Sequence, residues 1–236
     1  MLPYYPRMSV AISTTSFPLQ SPLAVKSLGL QPYREVWLLQ RRIQKEVIEG
    51  RSPDTLLWCQ HHPIITCGRN AKPESLLVSP TKLSKNGIAL LHVERGGDMT
   101  YHGPGQLIGY PIIDLRGKRR DVHWYMRVIE EAIIRTLEDL NLTSVRRDGE
   151  TGVWVEHRGS PPLKIASLGV RISRWVTMHG FSVNVSDCSW GFSHIHPCGF
   201  KDRKTTSLEQ EGINIDIYGV QKTLESHFCD LFGFSS

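Results

Sequence analysis

The sequence predicts an α+β domain built on a single mixed β-sheet flanked by helices. Short apolar runs, too brief for helices, recur along the chain. Longer stretches of helical period interrupt them, and the two kinds do not alternate as strict βαβ units. At 236 residues, 40% apolar and 22% charged, the chain can bury one sizeable core. No run nears the roughly 20 apolar residues of a membrane span, and no repeat or heptad pattern is visible.

Residues 1–23 are rich in Ser, Thr and Pro and carry no acid. They read as a disordered extension of a cytoplasmic protein; the alternative is a transit segment for the mitochondrial matrix or plastid stroma. Residues 24–236 form the domain. A strand is expected from Ala24 to Leu30, and Pro32 opens a helix whose Val36, Leu39, Ile43 and Val47 share a face until Gly50 stops it. Leu56 to Cys59 and Ile64 to Cys67 read as strands joined through His61-His62-Pro63. The spacing of Cys59, His61, His62 and Cys67 is unlike a paired zinc knuckle, so no metal site is assigned. A short helix is expected from Thr81 to Lys85, and a strand over Ile88 to Val93.

Asp121 to Leu140 is the strongest helix: Asp121 can cap it, and Tyr125, Val128, Ile129, Ala132, Ile133, Leu137 and Leu140 describe one apolar face. Strands follow near Leu142 to Arg146, Thr151 to Glu156, Lys164 to Ile172 and Trp175 to Val185, and a helix from Asp216 to Phe232 closes the chain.

Net charge is +5, but three basic residues fall in the first 34, which hold no acid, leaving +2 for the rest. That balance argues against nucleic acid. Basic clusters at Lys118-Arg119-Arg120, Arg146-Arg147 and Lys201 to Lys204 read either as ordinary solvated charge or as steering for an acidic protein. Five widely spaced cysteines without a Cys-x-x-Cys pair suit a reducing compartment.

Three stretches carry chemistry. The first is Arg95-Gly96-Gly97-Asp98-Met99-Thr100-Tyr101-His102-Gly103-Pro104-Gly105-Gln106, read as a loop between the strands ending near Val93 and beginning at Leu107 and running to Leu115. Its glycines leave backbone bare for close approach to a ligand, and its polar side chains surround that backbone; the plainer reading is a turn that only reverses the chain. It lacks the Gly-Lys-Ser/Thr ending of a P-loop and the spacing of a dinucleotide fingerprint. The second is the apolar strand headed by Lys164, a residue that at a strand edge is usually a solvated gatekeeper. The third is His194-Ile195-His196-Pro197-Cys198-Gly199-Phe200, where flanking Pro and Gly suit an accessible thiol, while Cys59, Cys67 and Cys229 read as packing residues.

Together these stretches, with Tyr110-Pro111 and Met178 to Val185, resemble the lipoyl(octanoyl) transferases, which move an octanoyl group from acyl carrier protein onto a lysine of lipoyl-dependent proteins. The resemblance runs from about Leu28 to Leu208, with its motifs in the family's order. It implies a fold related to the catalytic domains of biotin and lipoate protein ligases and no metal, nucleotide or other cofactor. The implied partners are octanoyl-acyl carrier protein as donor, with lipoyl domains of 2-oxoacid dehydrogenases and the glycine cleavage H protein as acceptors; no nucleic acid or membrane is implied.

The resemblance makes Cys198 the nucleophile and Lys164 its neighbour, which lowers the thiol's pKa and shuttles protons. It makes Arg95, Gly96, Gly97, Asp98, Met99, Thr100, Tyr101 and His102 line the acyl site, with Ser167, Leu168, Gly169, Gly180, Phe181 and Ser182. Backbone N–H groups among these glycines are candidates to hold the developing oxyanion. Phe181-Ser182 stands where smaller residues are common, a departure that alters the expected acyl pocket. His196 gains no role. Readings still open at this level are an ATP-dependent lipoate ligase, a relay amidotransferase working between carrier proteins, and a binding module without turnover.

Overall fold

The computed structural model describes residues 21–196 and 205–235; residues 1–20 of the 1–23 extension, and Cys198, lie outside them, while Ser21–Pro22 is described as a short strand. The chain begins with β1 (Ser21–Pro22) and β2 (Ala24–Gln31), then α1 (Tyr33–Ile48), β3 (Thr55–His61) and β4 (Ile64–Cys67). A short 3-10 turn at Pro73–Ser75 precedes α2 (Pro80–Lys85), β5 (Ala89–His92), β6 (Met99–His102) and β7 (Gln106–Ile112). After α3 (Val122–Asp139) come β8 (Ser144–Arg147), β9 (Glu150–Val155), β10 (Leu163–Ser173) and β11 (Val176–Asn184). The single turn α4 (Ser189–Phe192), the long α5 (Ile217–Phe232) and β12 (Phe234–Ser235) complete it.

Seven strands form the main sheet in the order β2-β3-β7-β11-β10-β9-β8. β2 and β3 are parallel and the other pairs antiparallel, so the sheet is mixed. The α+β class with a mixed sheet flanked by helices is therefore the one observed. Beside the main sheet stands a three-stranded one, β5-β4-β6, and β1 pairs with β12. The chain leaves the main sheet at His62-Pro63, where proline offers no N–H to continue a ladder.

Helix α1 packs on one face of the main sheet, with Val36, Ile43 and Val47 against Leu57, Cys59, Ile108 and Ile112. Helices α3 and α5 cover the other face, burying Ile129, Ile133, Leu137, Leu224 and Phe228 with Trp58, Val153, Ile165, Phe181 and Val183. Each such aliphatic or aromatic side chain contributes about 1.5–3 kcal/mol on burial. Asp121 Oδ1 accepts from Trp124 N at 3.0 Å, so α3 starts where the sequence places its cap. Asp216 caps α5 in the same way, and Gly233 ends it with a left-handed φ of +68°.

Two expectations shift. The strand expected from Leu107 to Leu115 stops at Ile112, because Asp114 turns the chain by accepting from Arg116 N. The glycine-rich stretch is more than a loop: Met99–His102 pairs antiparallel with Ile64–Cys67 as β6. Glycines flank this segment without interrupting it, and Thr and Tyr suit an extended backbone.

Among the described residues, no helix is long and apolar enough to cross a membrane.

Candidate active site

The site grows from the pairing of β10 with β11. Ser167 lies opposite Ser182 and Gly169 opposite Gly180, while between them Leu168 pairs with Phe181. Alternation sends Leu168 and Phe181 into the core under α3 and α5. The other face, toward α1, is left with two serines and two glycines. That is a floor almost without side chains.

The glycine-rich stretch forms the opposite wall. Arg95 anchors it: Nε donates to Thr66 Oγ1 at 3.2 Å, Nη2 to Thr66 O at 2.6 Å and Nη1 to Gly96 O at 2.9 Å, while Gly96 N donates to Val170 O at 2.9 Å. Asp98 is similarly engaged, its carboxylate accepting from Lys72 N, Met99 N and Ser75 Oγ. These two charged side chains therefore brace the wall. The space between floor and wall holds about 490 Å³, open solvent at its mouth included.

Of the residues expected at the acyl site, Arg95, Gly97, Asp98, Met99, Thr100 and His102 line this cleft, as do Ser167, Leu168, Gly169, Gly180, Phe181 and Ser182. Gly96 and Tyr101 do not. The Tyr101 ring turns away to pack edge-on against Phe192 of α4, 5.8 Å between centroids. Tyr33, Tyr110 and His179 also line the cleft, and sequence reasoning did not name them as site residues. Tyr33 is the first residue of α1, reading as a helix start; Tyr110 stands next to the glycine-rich signature and His179 inside the Met178 to Val185 stretch, which were the available hints.

His179 has an unusual backbone. Its φ is +60°, a left-handed conformation that costs a non-glycine residue on the order of 1–3 kcal/mol. Phe181, two residues on, packs into the core under α3, so simple alternation would send His179 there too. Instead its Nδ1 lies 3.4 Å from the Tyr33 hydroxyl on the α1 side, and its N–H is held by Gln40 Oε1 at 2.9 Å. Gln40 and Gln44 are buried on α1, and Gln44 Nε2 donates to Val176 O at 2.9 Å. Two polar residues on the inner face of α1 therefore hold β11 in place.

Burial keeps the histidines here neutral. It pushes His61 and His179 down to about 4 and His102 well below the usual imidazole value. His61 is oriented by Gln31 O at 2.9 Å and Tyr110 Oη at 2.8 Å. His102 Nδ1 is 3.2 Å from Gln106 Oε1, Gln106 Nε2 donates to Asn184 Oδ1 at 3.0 Å, and Asn184 Nδ2 donates to Thr206 O at 2.8 Å. Thr206 N in turn donates to Lys164 O at 3.0 Å. This polar chain ties the glycine-rich wall to the strand that carries Lys164.

Lys164 is no solvated gatekeeper: it is 4% exposed, with Nζ 4.9 Å from the centroid of the Trp154 ring. Its stem lies against Gly152, whose φ is +125°; a Cβ there would meet Lys164 Cε at 2.5 Å. Gly152 N donates to Glu130 Oε1 at 2.9 Å, and Glu130 Oε2 accepts from Arg127 Nη1 at 2.7 Å. Thr205, seven residues beyond Cys198, bridges to Lys164.

The four described cysteines, Cys59, Cys67, Cys188 and Cys229, are buried thiols. Burial raises all four, Cys188 to about 12 and Cys229 to about 11. The basic clusters are partly committed within the fold: Lys118 Nζ donates to Phe232 O, Arg119 pairs with Asp121, and Arg146 with Glu131. Lys201 to Lys204 lie outside the described residues.

A family model described as the lipoyl protein ligase A/B catalytic domain matches residues 32–229. An octanoyltransferase of Christiangramia forsetii is 41% identical over 229 residues, spanning 91% of this chain and 97% of the relative. One from Gloeobacter violaceus is 43% identical over 206 residues, spanning 87% and 88%. This chain belongs to the octanoyltransferase family. A solved structure from Thermoplasma acidophilum, of a bipartite lipoate protein ligase and its E2 lipoyl domain, superposes with a TM-score of 0.70. It covers 91% of this chain and 85% of that one at 17% identity, so the likeness is one of fold. The octanoyltransferase-family chain therefore shares a ligase scaffold, and the cleft described above is its candidate active site.

Proposed function

We propose that the enzyme moves an octanoyl group from acyl carrier protein to a lysine of a lipoyl domain, through a thioester on Cys198 and in the cytoplasm. The observation that carries the reading is the seat of Lys164: a buried lysine on β10, the strand whose Ser167–Gly169 segment lines the cleft, bridged to Thr205 just downstream of Cys198. The four described thiols are raised by burial, the opposite of what a nucleophile needs. A lysine beside a thiol instead favours the thiolate.

In the first half-reaction Cys198 Sγ attacks the thioester carbonyl. The bond to the carrier's sulfur breaks, and the departing thiolate takes a proton relayed by Lys164. In the second, the acceptor amine attacks the enzyme thioester; an amide forms, the Cys198 thiolate returns, and the amine proton passes to Lys164. Thioester exchange is near neutral and amide formation is downhill, so the carrier thioester supplies the driving force.

The acyl chain lies on the Ser167–Gly169 and Gly180–Ser182 floor. Burying its roughly six methylenes contributes on the order of 5 kcal/mol. The glycine cleavage H protein and the lipoyl domains of 2-oxoacid dehydrogenases are the acceptors in this reading. The test is reconstitution with octanoyl-acyl carrier protein and an apo lipoyl domain without ATP. Octanoylation of the acceptor supports the transferase; modification only with free octanoate and ATP overturns it in favour of a ligase.

A further inference from the structure

We propose that Asp98 is a positioning residue for Cys198: through Ser75 it ties the glycine-rich wall to the stretch of chain that ends two residues before the cysteine. The inference rests on the acyl-transfer reading above and adds the hydrogen bonds that place the nucleophile.

Two runs of hydrogen bonds meet at one turn. On the wall side, Gly68 N donates to Asp98 O at 3.1 Å, Arg69 N to Arg95 O at 3.0 Å and Asn70 N to Gly97 O at 3.1 Å. The strip 68–70 is thereby fixed along the wall, whose Arg95, Gly97 and Asp98 line the cleft. On the far side, Leu76 and Ile195 form an antiparallel bridge, with Leu77 N donating to His194 O at 2.9 Å and His196 N to Ser75 O at 2.8 Å. Asp98 joins the two runs. Its Oδ1 accepts from Lys72 N at 3.2 Å and Met99 N at 2.7 Å, and its Oδ2 from Ser75 Oγ at 2.6 Å. Ser75 is buried, so water is poorly placed to replace that bond. One carboxylate therefore holds the wall with one oxygen and, with the other, the residue whose carbonyl takes the His196 N–H.

Covalent geometry makes this anchor matter. Cys198 follows His196 by two residues, a reach of at most about 7 Å between Cα atoms. Thr205, the anchor on the other side, is seven residues beyond Cys198, a reach of up to about 25 Å. The nearer anchor confines the thiol far more tightly, and it is the one that Asp98 grips. Misplacing a reacting group by about 1 Å costs on the order of a hundredfold in rate, so a small slip of the 75–77 turn is enough to be read in the kinetics.

The experiment uses the full chain with Asp98→Ala, Asp98→Asn and Ser75→Ala. Asparagine keeps an oxygen for the two backbone N–H groups, and its amide can donate to Ser75 Oγ, so the tether survives without the charge. Two quantities are read: the single-turnover rate of Cys198 acylation at saturating octanoyl-acyl carrier protein, and the pH dependence of Cys198 alkylation by iodoacetamide, followed by peptide mapping. In Asp98→Ala and Ser75→Ala acylation falls at least tenfold, and the alkylation midpoint rises by about 1 pH unit as the thiol loses its place beside Lys164. Asp98→Asn stays within threefold of wild type with its midpoint unmoved. Acylation within threefold of wild type in the folded Ser75→Ala protein overturns the proposal. Slower acylation with the midpoint unmoved also overturns it, because Asp98 and Ser75 then shape the cleft without placing the thiol. Asparagine failing as alanine does overturns the tether in favour of the charge itself. A wild type that forms no acyl-enzyme at all sinks the acyl-transfer reading.

Discussion

Replacing Gly152 by Ala tests how the fold seats Lys164. The φ of +125° is one that an L side chain rarely adopts, and holding it costs on the order of 1–3 kcal/mol. The new Cβ would lie 2.5 Å from Lys164 Cε and 2.6 Å from Ala166 O, where an ordinary contact needs 3.4 Å or more. Overpacking of that kind costs a further 1–3 kcal/mol or so. Because Gly152 N is fixed on the buried carboxylate of Glu130, the backbone has little freedom to retreat, and the lysine stem must move. We expect destabilisation of about 2–5 kcal/mol by urea unfolding and a fall of at least tenfold in the single-turnover rate of acyl-enzyme formation in the folded fraction. Gly149→Ala is the control: its φ is +74° with nothing within 4 Å of the added Cβ, so it loses about 1 kcal/mol from strain alone and keeps its transfer rate. A Gly152→Ala enzyme acylating at the wild-type rate would refute the claim that this contact positions Lys164 for the reaction.

Other consequences follow from the same geometry. Lys164→Met fills the slot over Trp154 without a proton carrier, so acyl-enzyme formation should slow at least a hundredfold at neutral pH and recover in part as rising pH ionises the thiol; a pH profile parallel to wild type counts against the lysine's role. Asp216→Ala removes the oxygen that accepts from Gly219 N at 2.7 Å and should lower stability by about 1 kcal/mol without altering transfer, read as a shift in Tm. His61 and His179 are held down to about 4 in the fold, so the unfolded chain binds more protons between pH 6.5 and 4. Their stabilising effect is complete above about 6.5 and is lost as pH falls toward 4, on the order of 3 kcal/mol per histidine. Urea melts across that range should steepen this way in the wild type and less in His61→Asn.

Much of the scaffold was legible because local and tertiary forces agree. The apolar face of α3 and its Asp121 cap are encoded within 20 residues, and the alternating pattern after Lys164 gives β10. The motif stretches likewise pointed to twelve residues that line the cleft. Other features needed three dimensions. β6 was hidden because its four residues sit among glycines that read as a turn, and only pairing with β4 makes them a strand. Tyr33 is a site residue because α1 crosses the end of β11, which periodicity along α1 does not reveal. His179 looks like one more strand residue until its backbone turns left-handed to meet Gln40. Gly152 carries no motif; its importance lies in the lysine stem it admits.

The central claim is a covalent octanoyl-enzyme on Cys198. Intact-protein mass spectrometry after mixing the full chain with octanoyl-acyl carrier protein, without ATP, tests it most directly. The account predicts one octanoyl adduct per chain, labile to hydroxylamine, mapping to the peptide that contains Cys198 and absent from Cys198→Ser. Transfer to the acceptor with no such adduct, or with undiminished activity in Cys198→Ser, would contradict it.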